Sequence, residues 1–482
     1  MLIRQTLLYL PAQLVGPLFQ FIAAVAWTHW LTAEAYGVLA LVIAAQELIY
    51  FTCFGWWAHA TLRYLGEART GCERKRYLSS ESGVLAAMTI LQAVATFAAL
   101  AMIDTPMTPA LALSAVAFAT TRSLAAYLGD RARAEGRIGA YTGAQLVGPT
   151  LGFGLAFAAV AAIEPSPAAA LAGFAIAQAI GLYPVARALG VGRRIGWPQR
   201  AILARALVFG MPLVGAGAVG WLSVNGVRLV VERFDSLHAV GLVSVGWGLG
   251  LRLASVAAML FTAAAFPLAV QTLQAGRREE ALRHLSINGA LLFGLLAPMT
   301  AGLFFIARPL VELMIAEPFR AVTIAVLPAA MLAGAVRNWR VHFFDQPFLL
   351  FERTGLLMGI NIAEAALVLV FCALGLVKGG PAGAVWGALA GIVAGAALAA
   401  GLAVMRLGLV APWGAVARLT LATAAMSAGL WAFDWSTLGP RLGLVAAIVC
   451  GASVYAAATA ALFPDLTRYL LGKAQARRLR PV

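Results

Sequence analysis

Three arginines sit inside long apolar runs: Arg122 in LSAVAFATTRSLAAYL, Arg228 in VGWLSVNGVRLVV and Arg252 in VSVGWGLGLRLASVAA. In a bilayer each costs roughly 2.5–3.5 kcal/mol on insertion scales, so such residues are kept for a purpose. A guanidinium offers a planar fork of donors that grips a phosphate or carboxylate in two places. Facing an internal cavity, these three would hold an anion. Arg252 lies near the middle of its run, too deep to snorkel to either surface. Arg228 is one turn from Glu232, and Arg122 two turns from the end of its run, where snorkelling is open to it. The competing reading is structural: an ion pair with an acid inside the spans. Two such acids stand out, Glu47 and Glu364. Each is a candidate for ion coupling or for balancing an arginine. Asn225 and Asn361 share spans with these charges and are candidate hydrogen-bonding groups for substrate. The glutamines at 20, 46, 92, 145 and 178 read instead as bonds between helices.

Other chemistries find no support. Gly215-Ala-Gly217-Ala-Val-Gly220 matches the dinucleotide fingerprint, but no strand precedes it and it lies inside an apolar run. Those glycines read as flexibility beside Pro212. No P-loop, HExxH or GxSxG is present. The four cysteines form no CxxC and the five histidines have no ligand spacing, so neither cofactor nor metal is expected.

The elements that carry these residues are membrane spans. The chain has 482 residues, 62% hydrophobic and 11% charged, with mean hydropathy +0.87. A soluble protein of this size could not keep so much apolar surface dry. Counting runs of about 20 apolar residues predicts fourteen helices. The least distinct is the tenth, near 320–337, because 308–320 is polar-interrupted and reads equally as a surface or re-entrant helix. With the N-terminus placed in the cytoplasm, 27 of the 35 basic residues fall on that side, 5 fall outside and 3 lie within spans. A net charge of +15 therefore reflects loops facing anionic lipid rather than nucleic-acid binding. Ala24-Val25-Ala26 resembles a cleavage site, but the run before it is long and holds Pro11, Gln13 and Gln20, so it reads as a retained span.

The chain also echoes itself. AEAYGVLALV at 33–42 follows the first span, and SLHAVGLVSV at 236–245 follows the seventh. Glu135-Gly-Arg137-Ile-Gly139 precedes the fifth span, and Glu352-Arg353-Thr-Gly355 precedes the eleventh. Partners stand six spans apart, so the halves are parallel repeats. The expected architecture is an all-α polytopic membrane protein with two six-helix lobes, 1–205 and 206–412. Two extra helices follow in 413–464, then a basic cytoplasmic tail at 465–482. Gly383, Gly387, Gly391 and Gly395 recur every four residues as a ridge for close packing.

The first span followed by EAYGVLAL resembles the polysaccharide and oligosaccharide flippase family. So do the arginine ending span seven, AVGLVSV and Pro267, together with AEPFRAVTIAVLP at 316–328 and FERTGLLMGIN at 351–361. That family belongs to the multidrug/oligosaccharidyl-lipid/polysaccharide exporter superfamily. The resemblance implies two lobes around a central cavity that opens to alternate sides. It implies flipping of an undecaprenyl-pyrophosphate-linked oligosaccharide across the inner membrane, for O-antigen (lipopolysaccharide), capsule or exopolysaccharide. Both termini would be cytoplasmic. Membrane lipids, a polysaccharide polymerase or glycosyltransferases are the implied partners. Relatives that flip the peptidoglycan precursor carry arginines in the first span, where this chain has only Arg4. One alternative is a multidrug or cation-coupled exporter of the same fold, which prefers an acidic cavity. The other is a membrane polymerase or acyltransferase, which needs a large external loop or an intramembrane His/Asp site.

Overall fold

The computed structural model describes residues 2–65, 71–192, 196–262, 265–465 and 468. Nearly all of the expected basic tail lies outside the described residues. The described residues are 90% helical with no strand among them, and they include eleven helices long and apolar enough to cross a membrane. The helices in chain order are α1 (Leu2–Trp30), α2 (Ala33–Leu65), α3 (Gly71–Ala101), α4 (Pro109–Ala134), α5 (Ile138–Ala162), α6 (Pro167–Leu189), α7 (Arg200–Phe234), α8 (Leu237–Thr262), α9 (Ala265–Gln274), α10 (Arg278–Met314), α11 (Glu317–Leu350), α12 (Thr354–Leu407), α13 (Trp413–Trp431) and α14 (Pro440–Leu462). The chain gathers into two compact units, Met1–Val245 with Val368–Gly387, and Gly246–Leu367 with Ala388–Val482.

The polar interruption at 308–320 falls across the end of one long helix and the start of the next. α10 continues through it to Met314, breaks at Ile315 and Ala316, and α11 starts at Glu317 with Pro318 in its first turn. α12 spans 54 residues but holds two helical arms. Gly379 and Gly380 leave helical geometry between them, Gly380 at φ 59°, and Pro381 begins the second arm. The expected glycine ridge lies against the first arm. A β-carbon at Gly383 would fall on the Gly375 carbonyl, one at Gly387 on the Phe371 carbonyl, and one at Gly395 on the Glu364 side chain. The small residues let the two arms pack backbone to backbone.

Both sequence echoes have a structural basis. Thr32 accepts a hydrogen bond from the Ala35 amide at 3.2 Å to cap α2, and Ser236 accepts from the Ala239 amide at 3.2 Å to cap α8. From these twin caps the two helices cross at Gly37 and Gly241. A β-carbon on Gly37 would strike the Leu237 carbonyl, and one on Gly241 the Ala33 carbonyl. Residues equivalent in the two repeats thus touch each other reciprocally. The second echo is a shared helix ending. The Arg137 amide donates to the Ala132 carbonyl at 2.8 Å and the Gly136 amide to Arg133 at 3.0 Å. The Arg353 amide donates to Phe348 at 2.7 Å and the Glu352 amide to Leu349 at 3.2 Å. Both are Schellman caps with a left-handed residue, Gly136 at φ 69° and Glu352 at φ 56°. The structural register pairs Gly136 with Glu352, so the two glutamates of the echo are offset by one.

Gly241→Ala and Gly37→Ala are each expected to destabilise the detergent-purified protein by about 1–3 kcal/mol, the usual cost of overpacking. Glu352→Gly removes a left-handed non-glycine residue and should stabilise it by about 1 kcal/mol. Melting followed by tryptophan fluorescence reads both signs, and an unchanged Gly241→Ala melt would show that the crossing tolerates a methyl group.

Candidate functional site

In the second unit, Arg252 is placed by the packing of α8 on α11. Gly250 lies against the Ala330–Met331 backbone, and Ala254 against Gly334. Residues 250 and 254 share a face, and Arg252 is about 200° round the helix from Gly250 at 3.6 residues per turn. It therefore projects from the opposite side, partly buried. The same unit holds a buried charge cluster. Glu364, 1% exposed, takes the guanidinium of Arg337 at 2.8 Å on Oε1 and that of Arg340 on Oε2. Arg340 also bonds Asp345 at 3.1 Å and Asn361. Four charges of balanced sign are thus closed on one another, with Asn361 filling a remaining donor. The π turn Arg340–Phe344 inside α11 sets this register. The Asn288 amide donates to the His342 carbonyl at 3.1 Å, one of the carbonyls in that turn.

In the first unit, Arg228 donates to the Ser244 hydroxyl at 3.2 Å and to the Asn225 side-chain oxygen. Arg122 donates to Gln46 at 2.9 Å, and Gln46 in turn donates to Ser123 at 3.0 Å. Both guanidiniums are partly buried and oriented by neutral groups. Thr121 donates to Gln178 at 2.9 Å, so Gln46 and Gln178 do act between helices. Glu47 is partly buried on α2, and its carboxylate makes no hydrogen bond or ion pair with the described residues. The G-x-G-x-x-G run lies wholly within α7, where a β-carbon on Gly217 would meet the Phe51 ring at 3.3 Å.

A second closed charge network is not legible in the sequence. Arg131, fully buried on α4, bonds Glu81 of α3 at 2.5 Å and the Leu189 carbonyl at 2.9 Å. Glu81 also accepts from Tyr127, whose hydroxyl accepts the Trp57 indole N–H at 3.1 Å. Tyr77 stacks on Trp57 at 4.8 Å and bonds Thr61 at 2.8 Å. Arg131, Arg337 and Arg340, which a count of charges by loop places outside the membrane, lie in helices that run on past the apolar stretches, and Glu81 and Glu364 pair with them there. The signal available in sequence is Arg337 and Arg340, three residues apart and so on one helical face, one span before Glu364.

No family model and no curated protein matches the chain. Solved structures do. The lipid II flippase MurJ, in an inward closed conformation, superposes with TM-score 0.76 at 13% identity over 96% of this chain and 100% of that one. The two chains share a fold. An inward-facing multidrug resistance MATE transporter of the MOP superfamily aligns with TM-score 0.58 at 14% identity, over 83% of this chain and 98% of that one. A Vibrio cholerae MATE transporter aligns with 0.56 at 18% identity, over 85% and 97%. All three neighbours are transporters rather than enzymes, and the shared fold is two-lobed.

Glu364→Ala strands the buried guanidinium of Arg340, at a cost of about 3–5 kcal/mol. Reduced yield and a lowered melting temperature are expected, and a melting curve like the wild type would show that the cluster is solvated.

Proposed function

We propose that the chain flips an undecaprenyl-pyrophosphate-linked oligosaccharide across the cytoplasmic membrane for surface polysaccharide synthesis, with both termini cytoplasmic. The observation that carries this reading is Arg228, partly buried within α7 and aimed by Asn225 and Ser244. A preoriented guanidinium binds phosphate without first losing its rotamer freedom. Arg252 and Arg122 extend the cationic set, and Asn225 and Asn361 fix the arginines beside them. Likeness in fold to a lipid II flippase supports a lipid-pyrophosphate substrate class. Of the two acids, Glu364 balances Arg337 and Arg340, which leaves Glu47 as the better coupling candidate. The lobes of residues 1–205 and 206–412 would alternate access by rocking, and a polymerase or glycosyltransferases would take up or supply the unit.

Arg252→Ala and Arg228→Ala should each abolish surface polysaccharide while leaving the protein in the membrane. A deletion strain should accumulate the complete undecaprenyl-linked unit on the cytoplasmic face, as read by mass spectrometry of extracted lipid. Normal intermediates with normal polymer in that strain would sink the flippase reading and favour the drug exporter.

A further inference from the structure

Where α2 ends and α7 begins, two arginines are held by aromatic rings. Arg63 lies 4.8 Å over the Phe209 ring and 5.8 Å from the Tyr64 centroid. Arg205 lies 4.0 Å over the same Tyr64 ring. Tyr64 and Phe209 meet edge to face at 5.6 Å. The helices are brought this close by Gly210, where a β-carbon would fall on the Trp56 backbone. Arg63 belongs to the π turn Thr61–Leu65, a local widening that turns a side chain out of ordinary register and recurs at functional sites.

Both guanidiniums are exposed, and neither makes a hydrogen bond or ion pair with any described residue. Their neighbours in the same unit contrast with them. Arg74 and Arg137 bond Glu135 at 3.1 and 3.3 Å, Arg131 bonds Glu81, and Arg133 bonds Asp130. A ring contact uses the face of a guanidinium and leaves its edge donors unused. Two such forks beside one ring form a preorganised anion grip that no described residue fills.

We propose that Arg63 and Arg205, positioned by Tyr64 and Phe209, form a binding site for the pyrophosphate of the lipid-linked substrate, separate from the arginines inside the spans. This rests on the flippase reading. Each guanidinium takes one phosphate group by paired N–H···O bonds while the polyprenyl chain stays in lipid. With both residues on the cytoplasmic side, as the charge distribution places them, this is where the head group is first taken up.

The test uses the full-length protein in neutral phosphatidylcholine nanodiscs, titrated with farnesyl pyrophosphate and followed by tryptophan fluorescence. Arg63→Gln and Arg205→Gln should each weaken binding by about tenfold or more with unchanged melting temperature in the absence of ligand. Inorganic pyrophosphate should compete. Tyr64→Leu, which keeps both charges but removes the ring, should weaken binding as well. Wild-type affinity in both arginine variants would overturn the site and leave the flippase reading standing. No binding by the wild-type protein would overturn both. Displacement by phosphatidylglycerol as effective as by pyrophosphate would overturn the assignment in favour of a general anionic-lipid contact.

Discussion

Two helix backbones can touch only where at least one of them lacks a side chain at the contact. That constraint is met at one point between equivalent positions of the two repeats, Gly37 and Gly241, each glycine lying on a carbonyl of the other's helix. From twin caps at Thr32 and Ser236 the helices are held in fixed mutual register. Residues further along each helix inherit that register. On α2 come Gln46, Glu47 and the π turns, and on α8 come Ser244, which orients Arg228, and then Arg252. The charged groups proposed to handle substrate are thus positioned from a crossing that contains no charge.

Charge in this protein is used in two ways that burial separates. Arg131 with Glu81 and Glu135, and Arg337 and Arg340 with Glu364 and Asp345, are sets in which buried ions are answered by opposite charges. Removing either partner would leave a buried ion, which explains why such clusters act as fixed joints between helices. Arg122 and Arg228 are held differently: amide and hydroxyl groups, Gln46 for Arg122 and Asn225 with Ser244 for Arg228, take part in orienting them, and both remain partly exposed.

The spans were legible because bilayer thickness imposes a length and a composition that survive in one dimension. The hairpin within α12 was legible too, since Gly379-Gly380-Pro381 punctuates an otherwise unbroken apolar run. The repeat showed in EAYGVLAL and AVGLVSV, although nothing in those strings says that their glycines meet. What escaped was tertiary neutralisation. Arg131, Arg337 and Arg340 read as unpaired basic residues until the acid from another helix is known. Arg63 and Arg205 escaped for a related reason. They are 142 positions apart by their numbering, and only the crossing at Gly210 and Trp56 brings them to one ring.

The Glu364 cluster also bears on the order in which the chain is made. Asp345, five residues after Arg340, pairs with it on the same helix, whereas Glu364 follows Arg337 and Arg340 by 27 and 24 residues. Until the first arm of α12 is synthesised, α11 therefore carries one acid of this cluster for its two arginines. The joint that locks the finished unit is complete only when the second helix of the pair has been made, so α11 and that arm mature as one folding step.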